Sequence, residues 1–563
     1  MLSRRAFVVA GAAAFSTFGA IREIGAQGRS VVRRSVGEME NDDPDLAAYR
    51  RAVAAMKALP AADPRNWNRF TNVHRNFCPH GNWYFLPWHR AYLASFERIC
   101  RQLSGKPDFA LPYWDWSNDR RLPAPFATGD AGSNPLFHPR SFSRNAQLPE
   151  DMVGGGTMTR IMNSPDFEAF GSTRPAGQDS ADGQWLRRNG TRTELEFNPH
   201  DGVHTTLGGD MSQVDVASRD PIFWLHHANV DRIWAAWNAR GRDNSRELMW
   251  LNFQFNRHFP NPNGSAWDVR VADVQTTEAL GYQYSSEAVA AYDASALDAY
   301  AASPVYMRRP SHDHITGRPL PQRPGDGPSY PVEQRPNPRP IEPRQSAPYP
   351  AERPVVPAPH EPDRMVEDPS GGAPTGPSAE LHEYRRLNHD ALARAGRNRR
   401  HRLPSGGSFY VAAADNDRAA SRERPVAVPL ALGQSLNDVV GPDPDAPPPR
   451  RIWATIRDME PPKDRTTRLH VFANAEDLSA RTRLDHPSYA TSVSFFSGSH
   501  GQHSGGAGTS VSVDLTPTLR RMARDRARGL QNNQVVLQMM PVCRGADSTA
   551  SAVRPRRVEV VII

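Results

Sequence analysis

Asp220-Pro221-Ile222-Phe223-Trp224-Leu225-His226-His227-Ala228-Asn229-Val230-Asp231-Arg232-Ile233-Trp234 opens on a helix-starting Asp-Pro pair and continues as an apolar helical run. His227, Val230 and Trp234 share one face, whereas His226 points about 100° away on the helical wheel. His227 is therefore the histidine aimed into a core, and His226 reads as a packing or supporting residue. Just upstream, Pro199-His200-Asp201-Gly202-Val203-His204 puts His200 and His204 at i and i+4, a spacing that one metal ion can bridge from a single helix face.

A second histidine cluster lies earlier in the chain, in Asn72-Val73-His74-Arg75-Asn76-Phe77-Cys78-Pro79-His80-Gly81-Asn82-Trp83-Tyr84-Phe85-Leu86-Pro87-Trp88-His89-Arg90-Ala91-Tyr92-Leu93. Pro87 suits a helix start, after which His89, Leu93, Phe96, Cys100 and Leu103 fall on one face. His80 is out of phase with that helix and flanked by Pro79 and Gly81, so it approaches from a loop. His74 belongs to a preceding helical stretch. A lone histidine on an apolar face is usually a packed core residue, but six in two sets of three form a ligand set. Imidazole-only sites suit copper, zinc, iron or nickel, and helix bundles hold such sites in their cores. A zinc hydrolase would add a carboxylate ligand, as in His-Glu-x-x-His, and neither cluster carries one in that place.

With this spacing the chain resembles the tyrosinase, catechol oxidase and molluscan haemocyanin family of dinuclear copper proteins over residues 74–284. Leu111-Pro112-Tyr113-Trp114-Asp115-Trp116 and Leu280-Gly281-Tyr282-Gln283-Tyr284 also match. The resemblance implies a four-helix bundle with two copper ions, the first held by His74, His80 and His89 and the second by His200, His204 and His227. The implied activity is oxidation of o-diphenols to o-quinones by O2, with small phenols as partners. Cys78, two residues before His80, occupies the place where fungal relatives form a thioether to the imidazole. Glu196 resembles the glutamate that holds a catalytic water in plant relatives, though an exposed turn carboxylate fits the sequence equally. Asp201 departs from the asparagine of many hydroxylating relatives: an ionised carboxylate only accepts hydrogen bonds, so ortho-hydroxylation of monophenols depends on Glu196 and Asp201 together. Val214 falls where bulky aromatics narrow the entrance in some plant enzymes, which suggests an open substrate gate. An oxygen carrier of the haemocyanin kind would use the same six ligands without turnover.

The 563 residues, 38% hydrophobic with 12 Trp, suffice for more than one domain. Net charge is +7, but the basic residues are dispersed and almost all arginine, with lysine only at 57, 106 and 463. The densest runs, 397–402 and 520–528, lack interleaved aromatics, which argues against a nucleic-acid partner. Three cysteines, Cys78, Cys100 and Cys543, make neither a disulfide framework nor a Cys-x-x-Cys site.

Residues 1–26 read as a twin-arginine-type signal, with Arg4-Arg5-Ala6-Phe7 before an apolar run too short to span a membrane, which implies export and no membrane attachment after its removal. Residues 27–302 form the expected copper domain and 303–378 a proline-rich linker open to an activating protease. Apolar alternation returns in 379–563, as in Leu469-His470-Val471-Phe472 and Val558-Glu559-Val560-Val561, and predicts a smaller β-rich domain, so the fold class is mainly α with a β-rich C-terminal part. That domain resembles, more weakly, the one that covers the copper site and keeps plant polyphenol oxidases latent. Phe495 and Phe496 are candidates for the residue that plugs the site, with a place in the β-core as the preferred reading of both. His312, His314, His500 and His503 lie in polar loops and bind nothing specific.

Overall fold

The computed structural model describes residues 30–175, 190–286, 399–402, 408–441, 448, 450–496, 508–524, 533–543 and 551–563. The expected signal, its cleavage site near Ala26, the linker and the histidines at 312, 314, 500 and 503 lie outside the described residues.

The first part is helical. Helices α1 (Pro44–Ala58), α2 (Trp67–Phe77) and α3 (Phe85–Ser104) precede four short ones, α4 (Ala124–Ala127), α5 (Glu150–Val153), α6 (Gly155–Met162) and α7 (Phe167–Phe170). A five-residue π-turn at Glu196–His200 runs into α8 (Asp201–Leu207), and α9 (Ile222–Ala239) follows. Each long helix starts as its sequence dictates. Asn66 caps α2 by accepting from the amides of Asn68 and Arg69, and the Asp220 carboxylate accepts from Ile222 at the start of α9. The α3 helix begins two residues before Pro87, because the preceding turn is already set by Asn82, whose side chain accepts from Tyr84 N–H and whose carbonyl accepts from Phe85 N–H.

Aromatic packing joins α2, α3 and α9. Phe96 stacks on Trp224 with centroids 3.8 Å apart, Phe70 lies against both, and the Tyr92 hydroxyl donates to the Phe70 carbonyl at 2.9 Å. Beneath them the buried Asp231 carboxylate receives Arg90 Nε at 2.5 Å and the hydroxyls of Tyr282 and Tyr284 at 2.6 Å each. The Arg33 guanidinium carbon lies 3.6 Å from the centre of the Tyr282 ring, and the group bonds Tyr284 and pairs with Glu97 at 2.8 Å. Strand β1 (Val31–Arg33) thus pairs in parallel with β4 (Tyr282–Tyr284), and the two ends of the helical domain close on α3 and α9. Between them β2 (Gln254–Pro260) and β3 (Ala266–Arg270) form a hairpin beside α3.

The second part is two antiparallel sheets, ordered β10-β9-β12-β7 and β11-β8-β13-β6-β5. Their strands are β5 (Arg399–Arg402), β6 (Ser408–Asp415), β7 (Val426–Ala431), β8 (Ile452–Met459), β9 (Arg468–Ala473), β10 (Tyr489–Ser494), β11 (Thr509–Asp514), β12 (Gln534–Val542) and β13 (Arg557–Ile562). Alternating residues such as Val426, Val428 and Leu430 point into one apolar core, and Pro429 is tolerated because β7 is an edge strand. The expected runs around 469 and 558 are both strands. The basic residues 399–402 form an edge strand, and Arg520, Arg521 and Arg524 lie on the helix Thr516–Arg524.

The domains meet through a polar contact. Asp151 on α5 accepts Arg468 at 3.0 and 2.6 Å and Ser492 Oγ at 2.8 Å, and His470 Nδ1 shares that hydroxyl at 2.7 Å. Burial holds the His470 imidazole down at about 4. Burial alone would raise the Asp151 carboxyl, but Arg468 and Ser492 outweigh it and hold it below the usual carboxylate range. An undocked His470 takes up a proton near its ordinary 6.5, which the docked form refuses until about 4. Docking is therefore strongest above pH 6.5, weakens towards about 4, and loses the Asp151 contribution at lower pH still. Hydrogen exchange of β9 and β10 amides, and protease cutting of the interface, should be faster at pH about 4.5 than at pH about 7.5. Equal protection at both values would contradict this.

Candidate metal centre and its cover

Six imidazoles converge between α2, α3, α8 and α9, all from the expected residues. His74, His80 and His89 form one triangle, with ring centroids 5.4, 5.4 and 5.6 Å apart. His200, His204 and His227 form a second, with separations of 4.8, 5.0 and 5.4 Å. The triangles touch where His89 stacks on His227, centroids 4.4 Å apart.

The inner nitrogens are fixed from outside. His74 Nδ1 donates to the Val214 carbonyl at 2.8 Å, His89 Nδ1 to Phe85 at 2.8 Å, and His204 Nδ1 to Met211 at 2.9 Å. His200 Nδ1 donates instead to the Asp201 carboxylate at 2.8 Å. Each bond leaves the Nε2 lone pair facing the centre, the tautomer a metal requires. The buried Nε2 atoms of His80, His89 and His200 have no hydrogen-bond partner, and His204 and His227 face each other Nε2 to Nε2 at 3.3 Å, a contact that needs a proton or a cation between them. Burial, reinforced by the neighbouring imidazoles, holds His80, His89, His200, His204 and His227 well below the usual histidine range, so they stand neutral. The donor set fits two metal ions.

Two further groups lie close enough to be ligands by distance alone, His226 and Cys78. Trp116 Nε1 donates to His226 Nδ1 at 3.1 Å, which leaves the proton on Nε2 and removes His226 from the donor set. Cys78 Sγ lies 3.4 Å from His80 Nδ1, on the far side of the ring from Nε2, and burial pushes its thiol well up.

His200 ends the π-turn. Pro199 inside this turn has no N–H to donate, and the widened turn carries Glu196 inward. Glu196 is fully buried, not the exposed carboxylate the sequence equally allowed. It accepts Gly81 N–H at 2.6 Å, beside His80, and Ser172 Oγ at 2.5 Å. Burial raises its pKa despite these bonds and Arg192, whose Nε is 3.7 Å away. Asp201 pairs with His200 and closely with Arg192. Burial pushes the Asp201 carboxyl up, while Arg192 and the Phe496 backbone N–H favour its charged form. Val214 is buried, and its carbonyl orients His74.

The cover differs from the sequence expectation. Phe495 does enter the β-core, but Phe496 turns the other way and joins the helical core. Its ring stacks on His204 at 4.1 Å and 12°, and meets His80 and His200 edge-on at 5.5 and 5.8 Å. Arg192 binds both β11 and Phe496: its amide donates to Ser510 at 3.0 Å, its carbonyl accepts from Ser512 at 2.9 Å, and its Nη1 reaches the Phe496 carbonyl at 3.4 Å. Residues 55–156 and 131–240 match the common central domain of tyrosinase. Over these residues the chain is similar to the tyrosinases. It is 33% identical over 302 residues to a tyrosinase of Hahella sp. (strain CCB-MM4), covering 45% of this chain and 63% of that one. A chloroplastic polyphenol oxidase of Malus domestica is 34% identical over 281 residues, covering 42% and 45%. These matches span less than two thirds of either relative. The whole two-domain fold is shared with latent apple tyrosinase (TM-score 0.55, 20% identity, 95% of this chain and 97% of that) and with a latent aurone synthase (0.56, 17%, 96% and 91%).

Arg192, Ser172, Trp116 and Asp151 were not legible as site or interface residues. Their roles depend on partners elsewhere in the sequence: β11 and Phe496 for Arg192, Glu196 for Ser172, His226 for Trp116 and Arg468 for Asp151.

Proposed function

We propose that this protein is a polyphenol oxidase that binds two copper ions and oxidises o-diphenols to o-quinones, and that its C-terminal domain holds it latent. In the overall reaction two diphenols and one O2 give two quinones and two waters. The observation that carries the reading is the pair of buried imidazole triangles beneath the Phe496 ring.

His74, His80 and His89 would hold one copper and His200, His204 and His227 the other; bound copper passes electrons from diphenol to oxygen. The chain's own residues do the rest. Carbonyls behind His74, His89 and His204 keep their rings from turning, and the carboxylate behind His200 makes that imidazole the more basic ligand. Phe85 and Phe223 pack on His200 and His227 at 4.7 and 4.2 Å and keep water from the imidazole cluster. A diphenol ring would take the place of Phe496 on His204. Diphenols are favoured over monophenols because hydroxylation needs the phenolic proton removed by a free base. Glu196 is committed to Gly81 and Ser172, and Asp201 to His200 and Arg192.

Limited proteolysis in residues 303–378 followed by separation of the two parts on dilution, or Phe496→Ala in the full chain, should raise catechol oxidation at least about tenfold over the intact protein; unchanged rates in both would refute latency. Metal analysis after copper loading should find two ions per chain in the wild type and in His226→Phe, and about one in His227→Phe. The same count in both variants would overturn the assignment of the adjacent pair. Intact mass after copper loading should fall by two hydrogens if Cys78 joins His80, and a titratable Cys78 at unchanged mass would exclude the thioether.

A further inference from the structure

Phe496 is held at three points. Its ring stacks on His204, its carbonyl accepts from Arg192 Nη1 at 3.4 Å, and its backbone N–H is directed at the Asp201 carboxylate. The ion pair of Arg192 and Asp201 thus offers a cationic donor and an anionic acceptor side by side, the complement of the C=O and N–H of one amino-acid residue. Both groups belong to the catalytic domain and have contacts there besides those that Arg192 makes to β11. Arg192 pairs with Asp201, and its neighbour Thr193 anchors the segment by donating to the Phe170 carbonyl at 2.8 Å and accepting Ser172 N–H at 3.1 Å.

We propose that Arg192 and Asp201 form a peptide-group subsite next to the metal centre, so that the released enzyme prefers o-diphenol rings carried by an amino-acid residue within a peptide over the same rings without an amide. The plug is then a substrate mimic lacking only the hydroxyls. The subsite is electrically balanced by its own ion pair, so it suits a neutral amide group better than a free carboxylate, which would face both Asp201 and Glu196. The inference rests on the polyphenol oxidase reading above.

The test compares N-acetyl-3,4-dihydroxyphenylalanine N-methylamide with 4-ethylcatechol on the copper-loaded, protease-released protein. The amide should show kcat/KM about tenfold higher, mainly through KM, as expected for two added hydrogen bonds. In Arg192→Leu the ratio of the two kcat/KM values should fall to about one, and Arg192→Lys should restore part of it. Calorimetry with the redox-inert N-acetylphenylalanine N-methylamide gives a second readout, with binding about tenfold weaker in Arg192→Leu. A wild-type ratio near one, or equal binding in wild type and Arg192→Leu, overturns the subsite. No turnover of 4-ethylcatechol with retained, Arg192-dependent calorimetric binding overturns the oxidase reading and leaves the subsite standing.

Discussion

The structure depends on the carboxylate of Asp231. It lies buried on α9, one helical turn beyond His227, and draws in Arg90, next to His89 on α3, together with Tyr282 and Tyr284 from the end of the helical domain. A buried charge left without partners is costly, on the order of 3–5 kcal/mol for a broken pair, so these groups assemble together or not at all. The helices carrying His89 and His227 are thus registered against each other before any metal is considered. The stacked contact of the two rings is a product of that registration.

Around the imidazoles the fold solves a second problem, that of holding many ionisable rings uncharged in an apolar interior. Backbone carbonyls take the outer protons of three of them, and one carboxylate takes a fourth. The lone pairs are left to the centre, where only a cation or a proton satisfies them. The same demand explains why His226 is not interchangeable with its neighbour, since Trp116 has already chosen its tautomer.

Much of this was readable from spacing. Helical phase separated His227 from His226, placed His80 in a loop and grouped all six rings; composition divided the chain into helical and β-rich parts. The failures are local and have local causes. Asn82 opens α3 ahead of Pro87, a turn that a proline-based boundary misses. Pro199 widens the turn before His200, and helical periodicity assumes a uniform turn. Phe495 and Phe496 are adjacent just beyond the end of β10 and enter different cores, and sequence alone does not say that one of those cores belongs to the other domain. Arg192 carries no pattern that foretells its role, because beyond the nearby Glu196 and Asp201 its partners are Phe496 and β11, some 300 residues away.

The two domains are joined by contacts as well as by covalent chain: the Asp151 and Arg468 pair on one side and the bridge from Arg192 to β11 on the other. Cutting the chain between them removes neither contact. It converts an intramolecular association, at high effective concentration, into a bimolecular one. A nicked molecule therefore remains a complex until dilution, acid or a competing ring separates it, and the dissociation constant of that complex, more than the act of cleavage, sets how much open enzyme exists at a given protein concentration.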